Sequence, residues 1–193
     1  MEYVYGTETI SSDKGNKFKI ELAYDYIVDK PWEWFDGHVE VSEWTTRDKK
    51  PGEVVLCIDG RSRLYYDMQG AVKLARREGW DTEPYNTGTK GEQARRAAQA
   101  DFEKLRAWCD GKWWYAILRV VMLDDAGEEL DGYDAYLGSV EDGYGKKFAV
   151  GVMECAQELA QQIETRYLSD KSKEETNMLF SVRGDALFQA GVI

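Results

Sequence analysis

Between Lys17 and Tyr26 the chain alternates: Phe18, Ile20, Leu22, Tyr24 and Tyr26 are interleaved with Lys17, Lys19, Glu21 and Asp25. A period of two can be half-buried only by a β-strand, one face toward a core and the other toward water. A single strand leaves its backbone donors and acceptors unpaired, so this segment demands partner strands. Residues 3–10 supply one across the SSDKGN turn. The run WWYAILRVVML, rich in aromatic and β-branched residues, reads as another strand, with DDAG as its turn and EELDGYDAYLG returning beside it. Between these lie VEVSEW and EVVLCI, two further strands separated by RDKKPG turn chemistry.

The period changes to a helical one near Asp67, a candidate N-cap, where Met68, Ala71, Val72 and Ala75 share one side and Gly79 ends the segment. Thr89 and Glu92 have capping-box spacing ahead of a second helix that runs to about Cys109. Ala149, Val152, Met153, Ala156, Leu159, Ala160 and Ile163 define a third, from about Lys146 to Tyr167. The reading is an α+β fold: an antiparallel sheet with about three helices packed against it, forming one domain over residues 1–168. SDKSKEETN then reads as a polar linker, and MLFSVRGDALFQAGVI as an apolar tail, together spanning residues 169–193.

Charge constrains function more than any motif does. The 36 acids and 25 bases leave a net charge of −11. That disfavours nonspecific binding to nucleic acid, which needs cations to displace counterions, and to anionic membranes. Residues 47–110 are mildly basic, with thirteen bases against eleven acids, while the flanking segments are acidic. The stretch LDDAGEELDGYD, residues 123–134, holds six carboxylates: Asp124, Asp125, Glu128, Glu129, Asp131 and Asp134. Placed on a hairpin, these acids form either a solvated turn guarded against edge pairing or a negative surface for a cationic partner.

Other chemistry finds little support. The calcium-loop spacing is absent, as are the glycine motifs that cradle dinucleotides and nucleotide phosphates. His38 is the only histidine, so a multi-histidine zinc site cannot be built within one chain. His38 sits beside Asp36 in PWEWFDGH, as a loop-ordering group or a general base. Trp32, Trp34 and Phe35 in that loop are candidate aromatic anchors for a partner, with core packing as the alternative. Arg61, Arg63, Lys73, Arg76 and Arg77 form a basic run able to hold phosphate, or simply a solvated face. The odd, widely spaced cysteines Cys57, Cys109 and Cys155 read as reduced, inert thiols of a cytoplasmic protein. Neither a signal peptide nor an apolar run of membrane-spanning length is visible. No metal or cofactor is expected.

PWEWFDGHVEVSEWTTRDKKPGE, CIDGRSRLYYDMQGAVKLARREGW and ADFEKLRAWCDGKWWYAILRVVMLDDAGEE resemble a family of accessory proteins encoded in phages, prophages and plasmids of Gram-negative bacteria. The resemblance covers roughly residues 20–165 and brings no catalytic residues with it. It implies a small cytoplasmic accessory protein of a mobile element. Small acidic phage proteins of this kind often inhibit host defences by occupying sites that hold DNA. The expectation is therefore a non-enzymatic, DNA-mimicking inhibitor of a CRISPR effector or restriction complex, contacting its target through the six acids. Two alternatives stay open: a small-molecule or nucleic-acid binding protein or enzyme centred on His38 and the Arg61–Arg77 segment, and an oligomeric structural protein of a phage. In the latter the C-terminal tail would provide a homodimer contact.

Overall fold

A computed structural model describes residues 3–27, 30–34, 39–80, 87–143 and 148–189. The fold is α+β, with a four-stranded and a three-stranded antiparallel sheet and four helices. The chain divides into two compact units, one of residues 1–25 and 115–193, the other of residues 26–114.

In the first unit, β1 (Val4–Ser11) and β2 (Lys17–Tyr24) form a hairpin, and β6 (Trp113–Leu123) and β7 (Glu129–Gly143) a second. The strand order is β1-β2-β6-β7. The register pairs Phe18 with Met122, Ile20 with Val120 and Leu22 with Leu118. These side chains are withdrawn from solvent and pack with Val152, Ala156, Ala160 and Ile163 of α4 (Val150–Gln189). The alternation therefore buries Phe18, Ile20 and Leu22, while Tyr26, past the end of β2, is exposed. Asp142, itself buried, accepts from the Ala149 backbone N–H at the start of α4 and from the Tyr5 hydroxyl (2.8 Å to the latter). At the other end of the first hairpin, buried Glu164 of α4 accepts from Ser12 Oγ and from Asn16 Nδ2 at 2.6 Å.

α4 does not stop near Tyr167. It continues in one helix to Gln189, through the segment read as linker and into the tail. Residues 152–183 contain neither proline nor glycine. Asp170 and Lys173 pair at helical spacing, and the Thr176 hydroxyl donates to the Ser172 carbonyl, so nothing local interrupts the backbone ladder.

The second unit contains the sheet β3-β5-β4, formed by β3 (Val41–Trp44), β4 (Glu53–Asp59) and β5 (Ser62–Asp67). Its helices are the single turn α1 (Pro31–Trp34), α2 (Met68–Glu78) and α3 (Lys90–Cys109). Asp67 caps α2 by accepting from Gly70 N–H at 2.8 Å, and Gly79 terminates it in the left-handed region at φ 68°, where glycine carries no Cβ penalty. The Thr89–Glu92 capping box forms as read. Leu56, Leu64, Tyr66, Ala71, Ala98, Phe102 and Leu105 make the core. Buried Tyr66 donates to Asp101 Oδ2 at 2.7 Å. Burial, followed by the Asp101 charge, pushes its hydroxyl far above the ordinary tyrosine range.

Candidate functional site

The acidic stretch forms the tip of the β6–β7 hairpin, as the sequence suggests. Asp124 builds the turn itself: its Oδ1 accepts from the Ala126 N–H at 2.9 Å and the Glu128 N–H at 2.8 Å, while Gly127 takes φ 87°. Asp124 is thus a structural carboxylate as much as a surface charge.

Two more of the six acids are held from below. Opposite the face packed on α4, Glu21 of β2 lies across from Arg119 of β6. The Arg119 guanidinium makes three contacts: Nη1 to Glu21 Oε2 at 2.8 Å, Nη2 to Glu129 Oε2 at 2.8 Å, and Nε to Asp134 Oδ2 at 3.4 Å. Lys19 Nζ reaches Glu21 Oε1 at 2.6 Å and Glu129 Oε1 at 2.8 Å. Hydrogen bonds from Arg119, then from Lys19, lower the Glu129 carboxyl to about 2. Burial drives Glu21 upward, but the same two cations outweigh it, so Glu21 too lies below the usual carboxylate range. Lys19 is correspondingly raised, chiefly by Glu129. The Tyr136 ring, with its centroid 5.8 Å from the guanidinium, is 55% exposed beside this network.

Asp125, Glu128 and Asp131 differ from their neighbours. All are exposed, and among the described residues they make no ion pair. The hairpin therefore presents three unpaired carboxylates above three that are tied into turn or network. Lys19, Glu21 and Arg119 were not singled out from the sequence, although a signal existed: Arg119 is the only charge in the eleven-residue strand WWYAILRVVML. A lone cation in a buried strand calls for a partner across the sheet.

Of the candidate aromatic anchors only the Trp32 side chain falls among the described residues. Trp32 is half-buried in the core of the second unit, edge-on to Trp108 with centroids 5.3 Å apart, so it packs rather than standing free. The Trp34 side chain, Phe35, Asp36 and His38 lie outside the described residues. Among the described residues the exposed tryptophan of this unit is Trp44, at 45%. It begins a row across the sheet, Trp44–Arg63–Ile58, with Ile58 at 67% exposure. Arg47 stacks over both Trp44 and Tyr65, centroids at 4.9 and 4.7 Å, and binds Glu53 through both terminal nitrogens at 2.7 and 2.9 Å. That fork holds Glu53 at about 2. Of the basic run, Arg63 faces Asp48 at 3.3 Å and Arg77 faces Glu78 at 2.8 Å, both exposed pairs.

A cavity of about 420 Å³ lies between the β1–β2 turn and α4, but its buried carboxylate, Glu164, is already occupied by Ser12 and Asn16. Among the described residues no cluster of His, Cys, Asp and Glu is placed to hold a metal, and no helix is long and apolar enough to cross a membrane. Comparison with protein-family models, curated proteins and solved structures finds no match, so the arrangement of these side chains is the guide to what the chain does.

Proposed function

We propose that this protein is a non-enzymatic inhibitor encoded by a mobile element, which docks the tip of its β6–β7 hairpin on a cationic, DNA-holding surface of a bacterial defence complex in the host cytoplasm. The observation that carries this reading is the exposed trio Asp125, Glu128 and Asp131, without cation partners among the described residues. Beneath it, Lys19 and Arg119 tie Glu129 into the sheet, and Arg119 also holds Asp134. Unpaired carboxylates on a stiff hairpin reach a lysine- or arginine-lined channel without first breaking internal ion pairs. The choice of a CRISPR effector or restriction complex as target draws on the family resemblance.

The test is direct binding of the purified protein to such complexes at low and high salt, with the triple variant Asp125→Asn/Glu128→Gln/Asp131→Asn alongside. Binding lost both in the variant and at high salt supports the reading. Undiminished binding by the variant sinks it.

A second reading, a single-stranded nucleic-acid surface on the other unit, is favoured by the exposed Trp44–Arg63–Ile58 row, which offers a stacking ring beside a cation. Anisotropy of a labelled oligonucleotide that rises with the native protein and not with Arg63→Glu supports it. A flat titration removes it.

A further inference from the structure

The cavity of about 420 Å³ between the β1–β2 turn and α4 holds a buried charge that its neighbours satisfy on one side only. Gln157, Gln161 and Glu164 line it from α4, at four- and three-residue steps that share one helical face. Ser12, Asp13 and Lys14 line it from the turn, and Ile10 and Ala160 supply an apolar wall. Glu164 is only 6% exposed. Its Oε1 accepts from both Ser12 Oγ and Asn16 Nδ2. Among the described residues its Oε2 meets only Lys14 Nζ, at 3.8 Å, beyond hydrogen-bond length and from a side chain that is 59% exposed. Hydrogen bonds from Ser12, then from Asn16, outweigh burial and hold the carboxyl below the usual range, so it is charged at neutral pH. A buried carboxylate oxygen without a donor is unfavourable, and a ligand that brings a donor relieves it.

We propose that this cavity binds a short aliphatic diamine, one ammonium group donating to Glu164 Oε2 in place of Lys14 and the methylene chain lying on Ile10 and Ala160. The charge count fits. With Lys14 swung outward the cavity holds two carboxylates: Glu164 inside, and Asp13, exposed and without an ion pair among the described residues. A diamine brings two positive charges, both protonated at neutral pH as lysine is. Gln157 and Gln161, exposed at the rim, offer amide oxygens for the ammonium protons that Glu164 does not take. A divalent metal is a poorer complement, since among the described residues no group of three His, Cys, Asp or Glu is gathered to hold one. The volume falls in the range of roughly 300–1,000 Å³ usual for small-ligand sites. This binding uses none of the tip acids and does not depend on the docking role of the β6–β7 hairpin.

The test is calorimetric titration of the full chain with butane-1,4-diamine at low salt, beside butane-1,4-diol, which has the same carbon chain without the charge. The expected result is saturable binding of the diamine and none of the diol. Glu164→Gln, which keeps an oxygen for Ser12 and Asn16, weakens binding about tenfold or more. Lys14→Met removes the internal competitor from an exposed position and tightens binding severalfold. Glu174→Gln/Glu175→Gln, at exposed acids farther along α4, leaves it unchanged. Absence of saturable diamine binding, or equal binding of the diol, overturns the proposal. So does a loss in the Glu174/Glu175 variant as large as in Glu164→Gln, the mark of diffuse attraction to an acidic chain. Should Glu164→Gln loosen the turn, Lys14→Met decides: binding there that is unchanged or weaker also overturns it.

Discussion

The two units handle charge in opposite ways. The unit of residues 1–25 and 115–193 carries twenty acids against ten bases; the unit of residues 26–114 carries sixteen against fifteen. Nearly all of the net charge thus belongs to one of them. In the acidic unit the cations Lys19 and Arg119 are shared among Glu21, Glu129 and Asp134 on one sheet face. In the near-neutral unit the best-formed pair is a closed fork, Arg47 on Glu53, roofed by two aromatic rings. The difference teaches that net charge and available charge are separate quantities. Six acids in twelve residues reduce to three that are free to meet a partner.

The comparison is broken most severely through the core of the acidic unit. Phe18→Ala removes a ring wholly excluded from solvent, and the cavity should cost about 3–5 kcal/mol in urea unfolding. Arg119→Ala comes next. It leaves buried Glu21 and also Glu129 with Lys19 alone and releases Asp134. A loss of about 2 kcal/mol is expected, below that of a fully buried pair because the network borders solvent. Tyr66→Phe in the other unit removes the hydroxyl that donates to Asp101, for about 1 kcal/mol.

Acid titration sharpens the contrast without mutation. Glu129 and Glu53 are each held near 2 in the folded chain against an ordinary 4.5. Their folded values are depressed, so their contribution is complete above pH 4.5 and declines as pH falls toward 2. Arg119→Ala should abolish much of the Glu129 share while leaving the Arg47–Glu53 share intact, read as a shallower loss of stability with falling pH. The smallest effect on stability belongs to the triple tip variant: within about 0.5 kcal/mol of native, since exposed unpaired carboxylates contribute little to folding. A larger change would show that the tip is structural.

Much of this architecture is legible in the residues. The alternation of Phe18, Ile20 and Leu22, the Asp67 and Thr89 caps and the Gly79 stop each specify a local conformation that tertiary contacts then keep. β5 carries no alternation to mark it, since Leu64, Tyr65 and Tyr66 are consecutive and all buried. Its signal was Asp59-Gly60 opening a two-residue turn, with Gly60 at φ 56°. The polar stretch 169–177 reads as linker because hydrophobic periodicity fades there, although it is helical and its backbone preference persists. The site was half legible. Local composition marks the acidic tip, but which acids Lys19 and Arg119 neutralise depends on strand register between residues distant in sequence.

Tyr167 is among the last residues of α4 that pack against the core, and the helix runs on through Gln189 as part of a 40-residue rod about 60 Å long. Such a rod is a phase-keeping axle. Each residue added beyond Tyr167 advances whatever lies downstream by about 1.5 Å and turns it by about 100°. Two inserted residues would swing the downstream segment to nearly the opposite azimuth. Seven would carry it about 10 Å outward with its bearing almost restored. Insertions among the solvent-exposed positions 171–178 can therefore separate reach from orientation, using only the pitch of the helix.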